Sequence, residues 1–442
     1  MQSSLCSIPG RLIVTTQFTL GRFCEPKFTG RSAVFLLLWV SPGFSCLSQE
    51  ASRPSLAGAH TAAARRQAAL SMPRPLFKLE PSTWSIGAGL ALQASDNIRL
   101  ESTDPKSDLA FHPEIHTRIL CPVSDQNVLN VVFRTGYSAH VLHPELNRFY
   151  IGPESKLNFD IYLGDCRIDL HDRCSLLENN FEDPTVVGSG DYTRLENALG
   201  AGALWDLNQA LVNVGYDHIN YISYSSDTAT SAAFPDAQSD LLFASAGYRV
   251  KPGLLAGLEI TGTLFRYATA GNQHLSDAVQ CGIGPFLDVQ LSEYLTCQAA
   301  AGYRAYAPHG DDAIAQENYG LYAHMALTHD LNQYLDYTLS GGKNITFALY
   351  GGTVDLSYAR LRTNWHFIRK CRLAVTLTYE HGIEVTVGGE TFDRFGPGIS
   401  FERSLSDGLT AGLEYQFYQR ASNAPNAGYT ANIILARLIY EF

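Results

Sequence analysis

The last fourteen residues, Tyr429 to Phe442, sort by polarity at every second position. Counting back from Phe442 in steps of two gives Tyr440, Leu438, Ala436 and Ile434, and the intervening set holds Glu441 and Arg437. Side chains of an extended strand point to alternate faces, so these two sets lie on opposite sides of one strand. One face is apolar enough for hydrocarbon. The other carries charge and needs water. Strands of this kind leave a chain few folds, because each must separate a dry side from a wet one.

The same alternation recurs from Trp84 onward. Trp84, Ile86, Ala88, Leu90 and Leu92 form one apolar row, and Leu157, Phe159, Ile161 and Leu163 form another. Cys166, Ile168 and Leu170 oppose Arg167, Asp169, His171 and Arg173. Leu254, Ala256, Leu258 and Ile260 oppose Glu259, Thr261 and Thr263, and Cys281 to Val289 give a further row. Leu321, Ala323, Met325 and Leu327 oppose Tyr322, His324 and Thr328. Leu373, Val375, Leu377 and Tyr379 oppose Arg372, Thr376, Thr378 and Glu380, while Leu409 to Phe417 oppose Glu414 and Gln416, with Tyr418 continuing that polar row. The rows are about 9–11 residues long, the span of a tilted strand crossing a bilayer.

Turn chemistry divides the rows regularly. Short polar turns are expected at 124–127, 163–165, 206–209, 251–253, 291–294, 330–333, 368–370 and 406–408. They recur at roughly 40 residues, two strands and a longer loop. The tetrapeptide Asp-Leu-Asn-Gln appears in two of them, at 206–209 and 330–333. Longer polar stretches at 225–240, 267–277, 308–318 and 421–428 alternate with these turns. The expected fold is all-β: a transmembrane antiparallel up-and-down β-barrel of about 18 strands, with 16 as the alternative because 108–121 and 155–176 have weaker patterns. A β-propeller or β-solenoid fits less well, since their repeats hold shorter strands or are nearer 20–30 residues. Closure follows from the solvent, because an open sheet edge in lipid leaves backbone groups unpaired at several kcal/mol each.

Composition agrees. Charged residues make up 17%, against ~25% in soluble domains, and Tyr (23) and Phe (22) are abundant. No segment beyond residue 50 approaches the ~20 consecutive apolar residues of a spanning helix. A net charge of −11 argues against a nucleic-acid partner.

The terminal strand ending on Phe442, with Tyr440 and Leu438 before it, resembles the C-terminal recognition signal of bacterial outer-membrane barrels. The stretch Ile86 to Ile98, IGAGLALQASDNI, ends its strand in Ser-Asp-Asn. With the aromatic C-terminus, it makes the chain from Trp84 onward resemble the β-barrel porin type-2 family, linked to surface-polysaccharide and exosortase systems. The resemblance implies a bacterial outer-membrane location, the barrel-assembly machinery and outer-membrane lipid as partners, and passage of a hydrophilic solute or polymer. It brings no catalytic residues.

Upstream, Arg31 precedes the apolar run 32–40 and the small residues that follow it. Residues 1–49 read as a signal-peptide region, 50–80 as a disordered linker and 81–442 as the barrel. A lipoprotein reading through Cys46 is disfavoured by the bulky Phe44.

The polar rows supply the candidate lumen-facing residues. They are His112, Glu114, His116 and Arg118; Arg167, Asp169, His171 and Arg173; Glu259, Tyr322 and His324; Arg372 and Glu380; Glu414, Gln416 and Tyr418; and Arg437. His112, Glu114 and His116 could ligate a metal only with help from other strands, since i and i+4 on a strand lie more than ~13 Å apart. No cofactor or metal is expected, and no local hydrolase, metalloprotease or phosphate-loop motif is present. The cysteines beyond the signal region are expected to be unbridged, with Cys166, Cys281 and Cys297 facing lipid.

The primary functional expectation is a porin-like channel, not an enzyme. The alternative is an exit channel or anchor for exported surface polysaccharide, with Tyr322 and Tyr418 as an internal sugar-stacking slide. A barrel enzyme acting on lipid or protein is the weaker alternative. The face assignment makes a direct prediction. Leu413→Arg should cost ~2–4 kcal/mol at mid-strand, whereas Gln416→Arg should be tolerated; unfolding from detergent or vesicles measures both, and equal costs would contradict the faces.

Overall fold

The computed structural model describes residues 77–79, 82–124, 127–178, 181, 183–188, 193–224, 236–267, 277–309, 317–347, 353–385 and 389–442. The expected signal region and nearly all of the expected linker lie outside these residues. At the end of that stretch, Phe77–Leu79 is a strand paired with the first strand of the barrel wall.

The strands in chain order are β1 (Phe77–Leu79), β2 (Ser82–Ser95), β3 (Asp108–Pro122), β4 (Val128–His140), β5 (Arg148–Ile151), β6 (Lys156–Leu163) and β7 (Cys166–Glu178). There follow β8 (Thr193–Leu207), β9 (Ala210–Tyr224), β10 (Ala237–Lys251), β11 (Leu254–Tyr267), β12 (Asp277–Ser292), β13 (Leu295–His309) and β14 (Asn318–Asn332). The wall is completed by β15 (Leu335–Phe347), β16 (Thr353–Ile368), β17 (Cys371–Glu384), β18 (Thr391–Ser404), β19 (Leu409–Ser422) and β20 (Tyr429–Glu441). Each pairs antiparallel with its neighbour, and β20 pairs with β2, from Gly87↔Glu441 to Ser95↔Ile433. The sheet is therefore a closed barrel of 18 spanning strands. A short 3₁₀ turn at Pro144–Leu146 is the one helical element among the described residues.

The spanning count is 18 because β5 and β6 are two halves of one strand. Both pair with β4 on one side and β7 on the other. The break lies at Gly152-Pro153-Glu154-Ser155, where Pro153 has no amide to give the ladder. Ser155 repairs the gap: its amide donates to the Gly152 carbonyl (2.9 Å) and its Oγ accepts from the Arg134 amide (3.0 Å). This interruption explains the weak pattern at 155–176.

All eight short turns lie at one end of the barrel, with both chain ends of the wall. Six are two-residue turns, in several of which Gly164, Asn208, Gly253 or Lys370 takes positive φ. Such turns match the twist of the strands they join. The Asp-Leu-Asn-Gln echo is not equivalent in detail. Asn208 and Gln209 are themselves the turn, whereas Asn332 ends β14 and its side chain accepts the amides of Tyr334 (2.8 Å) and Leu335 (3.0 Å).

The uninterrupted spanning strands have 13 to 16 residues, longer than the expected rows. The excess lies at the long-loop end, where outward side chains turn polar. Asp240 accepts from Tyr216 Oη at 2.6 Å and sits 2.8 Å from His218 Nδ1, and Asp393 is held likewise by Tyr379 (2.7 Å) and His381 (2.9 Å). Below this rim the outer surface is apolar, with Leu258, Ile260, Ile283 and Leu413 all more than half exposed. Near the short turns it becomes aromatic, where the Trp365 and Phe367 rings pack tilted at 5.1 Å and Tyr440 meets Phe442 edge-to-face at 4.9 Å. An apolar band between two polar–aromatic rims is the surface a bilayer requires.

Cys121, Cys166, Cys174, Cys281, Cys297 and Cys371 are all free. Several glycines of β10 to β13 lie against the neighbouring backbone. A Cβ on Gly284 would collide with the carbonyl oxygen of Ala301 and with Gly302, whereas one on Gly262 would meet nothing. Gly284→Ala is expected to cost ~1–3 kcal/mol, and Gly262→Ala to be near neutral; thermal unfolding in detergent compares them.

Candidate functional site

The interior is built from the polar member of each alternating pair. The structure distributes the seventeen candidate residues, with partners, over three groups of neighbouring strands.

The first wall spans β3 to β9. Glu114 (8% exposed) receives both Nε (2.8 Å) and Nη2 (2.6 Å) of Arg134, while Arg134 Nη1 reaches Glu154 at 2.6 Å and Tyr150 Oη donates to Glu114 at 3.1 Å. His112 lies 2.9 Å from Ser138 Oγ and meets the Tyr150 ring edge-on at 6.3 Å, and His116 lies over Gly87. No three-ligand metal cluster occurs among the described residues. Next along the wall, Arg167 bridges Asp160 (2.5 Å) and Asp169 (3.5 Å), and His171 lies between Asp169 (2.5 Å) and the fully buried Asp217 (2.7 Å). His171 reaches Asp217 across the intervening β8 because Gly200 leaves the path clear; any Cβ there would strike both. Arg118 and Arg173 also belong to this wall.

The second wall, β11 to β15, has fewer charges. Tyr322 lies over Gly302 and Gly282 and donates to Glu259 at 3.2 Å. His324 follows Tyr322 on the same face. Arg304 (1% exposed) pairs with Asp355 at 3.2 Å and donates to Asn344 at 3.2 Å. Toward the short turns Leu211, Leu255, Phe286 and Ala300 form an inward apolar cluster joined by Leu204.

The third wall, β16 to β20, carries Arg360, Arg362, Arg372, Arg394, Arg420 and Arg437. Tyr358, Glu380, Arg394, Arg420 and Tyr429 are successive cross-strand partners in one lateral row. Arg394 binds Glu380 through Nε (2.7 Å) and Nη2 (2.5 Å), and Arg360 stands 3.8 Å from the same carboxylate. Arg420 binds Glu390 at 2.6 Å and stacks 4.1 Å from the Phe392 ring centroid; Arg394 stacks 5.0 Å from that of Tyr418. Toward the short turns lie Arg362, Glu414 and Gln416. Below them Glu402 takes Arg372 at 3.3 Å and a hydrogen bond from Arg437.

A segment from the β7–β8 connection crosses to this third wall. Arg394 Nη1 donates to the Phe181 carbonyl (2.7 Å) and Arg420 Nε to the Pro184 carbonyl (3.1 Å). Phe181 and Val186 join Leu100, Tyr418, Tyr429, Ala431 and Ile433 in one buried cluster. Asp183 stiffens the turn by accepting the Thr185 amide (2.9 Å) and hydroxyl (2.7 Å). The arrangement narrows the interior from within.

Arg394, Arg420, Arg362, Arg134 and Asp217 were not among the sequence candidates. The signal for Arg394 is present in Thr391 to Ser404, where Phe395, Ile399 and Phe401 alternate outward and Phe392, inward beside the arginine, blurs it; Arg420 continues the polar row of Gln416 and Tyr418 in β19. The sugar-slide reading of Tyr322 and Tyr418 meets a correction. They are 9% and 3% exposed, so neither offers a face to a passing sugar.

The sequence matches no protein-family model and no curated protein. Solved structures similar to the chain include a BenF-like porin from Pseudomonas fluorescens, with 11% identity over 82% of this chain and 100% of that one and a TM-score of 0.47. OccK2 from Pseudomonas aeruginosa in complex with glucuronate has 11% identity over 82% and 99%, with a TM-score of 0.48. The outer membrane protein OpdK from the same organism has 11% identity over 83% and 100%, with a TM-score of 0.46.

The Glu380–Arg394 pair, 1% and 2% exposed in its side chains, should be far more costly to break than a rim pair. Glu380→Ala strands a buried guanidinium and is expected to cost ~3–5 kcal/mol. Glu145→Ala, which opens the exposed pair with Arg99, should cost ~0–1 kcal/mol. Denaturant unfolding of the two variants checks the contrast.

Proposed function

We propose that the protein is an outer-membrane channel for hydrophilic solutes that favours anions. The observation that carries this reading is the arginine-lined third wall inside a closed barrel with an apolar exterior. There Arg360, Arg362, Arg372, Arg394, Arg420 and Arg437 are interleaved with Asp355, Glu380, Glu384, Glu390, Glu402, Glu414 and Glu441, and Arg394 and Arg420 stand directly opposite each other. A charged wall within a low-dielectric barrel concentrates the opposite ion and repels its own kind. An 18-strand barrel is wide enough for an aqueous path.

The bacterial outer membrane is the compartment where such barrels reside. Leu438, Tyr440 and Phe442, 45%, 44% and 50% exposed on the outer face, suit the role of barrel-assembly signal. The type-2 porin affinity suggested by Ile86 to Ile98 belongs to this proposal. Burial of Tyr322 and Tyr418 weighs against the polysaccharide slide.

Reversal potentials across a planar bilayer in a salt gradient test the reading. The wild type should favour chloride over potassium, and Arg362→Glu should lower that ratio roughly twofold or more. A barrel that conducts without anion preference would sink it.

A further inference from the structure

We propose that the barrel wall opens sideways between β14 and β15 in its outer half. The opening is a portal by which a membrane-dissolved amphiphile, an alkyl chain with an anionic head, reaches the interior. This adds a route from the lipid to the channel reading, and its test does not depend on conductance.

The β14–β15 ladder runs from Asn332↔Leu335 and stops at Ala323↔Lys343. Above that rung β14 continues to Asn318 with β13 as its partner among the described strands, and β15 continues to Phe347 paired with β16. Alternation makes Ile345 the next lipid-facing partner, opposite Leu321. Instead Ile345 is 3% exposed and packs with Phe265, Ala278 and Tyr306 on the inner face of β11 to β13. The same face of the β15–β16 hairpin sends Thr353 Oγ1 to Tyr306 Oη (3.1 Å) and Asp355 to Arg304 (3.2 Å). The end of the hairpin has turned in behind the wall, and Leu321 is left 71% exposed. Polarity accounts for the turn, since a hairpin zipped to β14 would set Lys343, Thr353 and Asp355 against hydrocarbon.

The opening lies at membrane depth. Leu321 ends a lateral row of outward partners, Ile260, Ile283 and Tyr303, all more than half exposed. An open strand edge is tolerated at that depth where it lines water, so the wet interior reaches the slot. Room for it exists behind the edge. Among the described residues, a Cβ on the inward Gly320 would meet only the Asn318 side chain, at 3.8 Å. Lys343 stands half-exposed at the foot of the slot and shares Asp355 (3.3 Å) with Arg304, so one carboxylate serves two cations. An anionic head completes that set while its chain lies along the exposed Met325 and Leu339. A cationic head is repelled there, and a short-chained anion has no hold on the apolar strip.

Photolabelling of the full-length barrel in lipid vesicles, with adducts mapped by mass spectrometry, tests this. The probes are dodecyl phosphate, butyl phosphate and dodecyltrimethylammonium, each with a diazirine beside the head. Dodecyl phosphate should label the inward Asn318 and Gly320 as well as the outer band. Dodecyltrimethylammonium should label the outer band alone, and butyl phosphate neither. Lys343→Gln should lower the inward yield roughly fivefold, the worth of one lysine toward an anion at a membrane surface. Gly320→Phe, which fills the slot from within, should lower it too, with outer labelling retained in both variants. Dodecyl phosphate confined to the outer band, or inward labelling matched by either other probe, overturns the inference. Paired cysteines in a cysteine-free background give a second measurement. Leu327→Cys/Leu339→Cys, partners below the slot, should be joined by a short thiol-bridging reagent, and Leu321→Cys/Ile345→Cys should not. Bridging of the upper pair reveals a zipped wall and overturns the portal as well.

Discussion

Backbone hydrogen bonding in a medium without water is the constraint on which the rest depends. Every amide and carbonyl at membrane depth must find a partner inside the protein, and closure achieves this for a sheet. The seam between β2 and β20 is therefore as structural as any other pair. Its ladder ends at Glu441, the Phe442 amide then donates to the Ile86 carbonyl (3.0 Å), and β1 pairs with the next stretch of β2, Ser82 to Trp84. The short N-terminal strand thus continues the edge where the C-terminus stops.

Closure imposes a second problem, because alternate side chains are now enclosed. The chain manages them in two ways. Charged residues are grouped into ion-paired rows, such as Glu114–Arg134–Glu154 and Glu380–Arg394, so that few carry their desolvation cost alone. Glycines open gaps through which long side chains reach partners two strands away, as His171 reaches Asp217 across Gly200. The third wall adds a different arrangement. Arg394 and Arg420 stand opposite each other, and part of their demand is met by carbonyls from a distant segment. That imbalance gives the interior its chemical character.

Much of the fold was legible in the residues. Leu438, Tyr440 and Phe442 identified an outward face, and the eight short turns identified a hairpin repeat. Both signals are local, since a strand's faces follow from its own period and a tight turn from its own few residues. The interrupted strand at 152–155 was harder, because its pairing depends on β4 and β7, far away in the chain. The candidate site was legible only as a list of inward polar residues. Nothing in the spacing of Arg394 and Arg420 announced that they would meet Phe181 and Pro184, 213 and 236 residues distant.

The sequence by itself determined the strand faces, the short turns and the need for closure, because each is dictated by neighbouring residues and by the solvent. The tertiary structure decided which charges meet, which glycines lie beneath which side chains, and which wall receives the crossing segment. Those outcomes depend on strand register around a closed ring and on one connection turning inward. Both arise only when distant parts of the chain share one enclosed space.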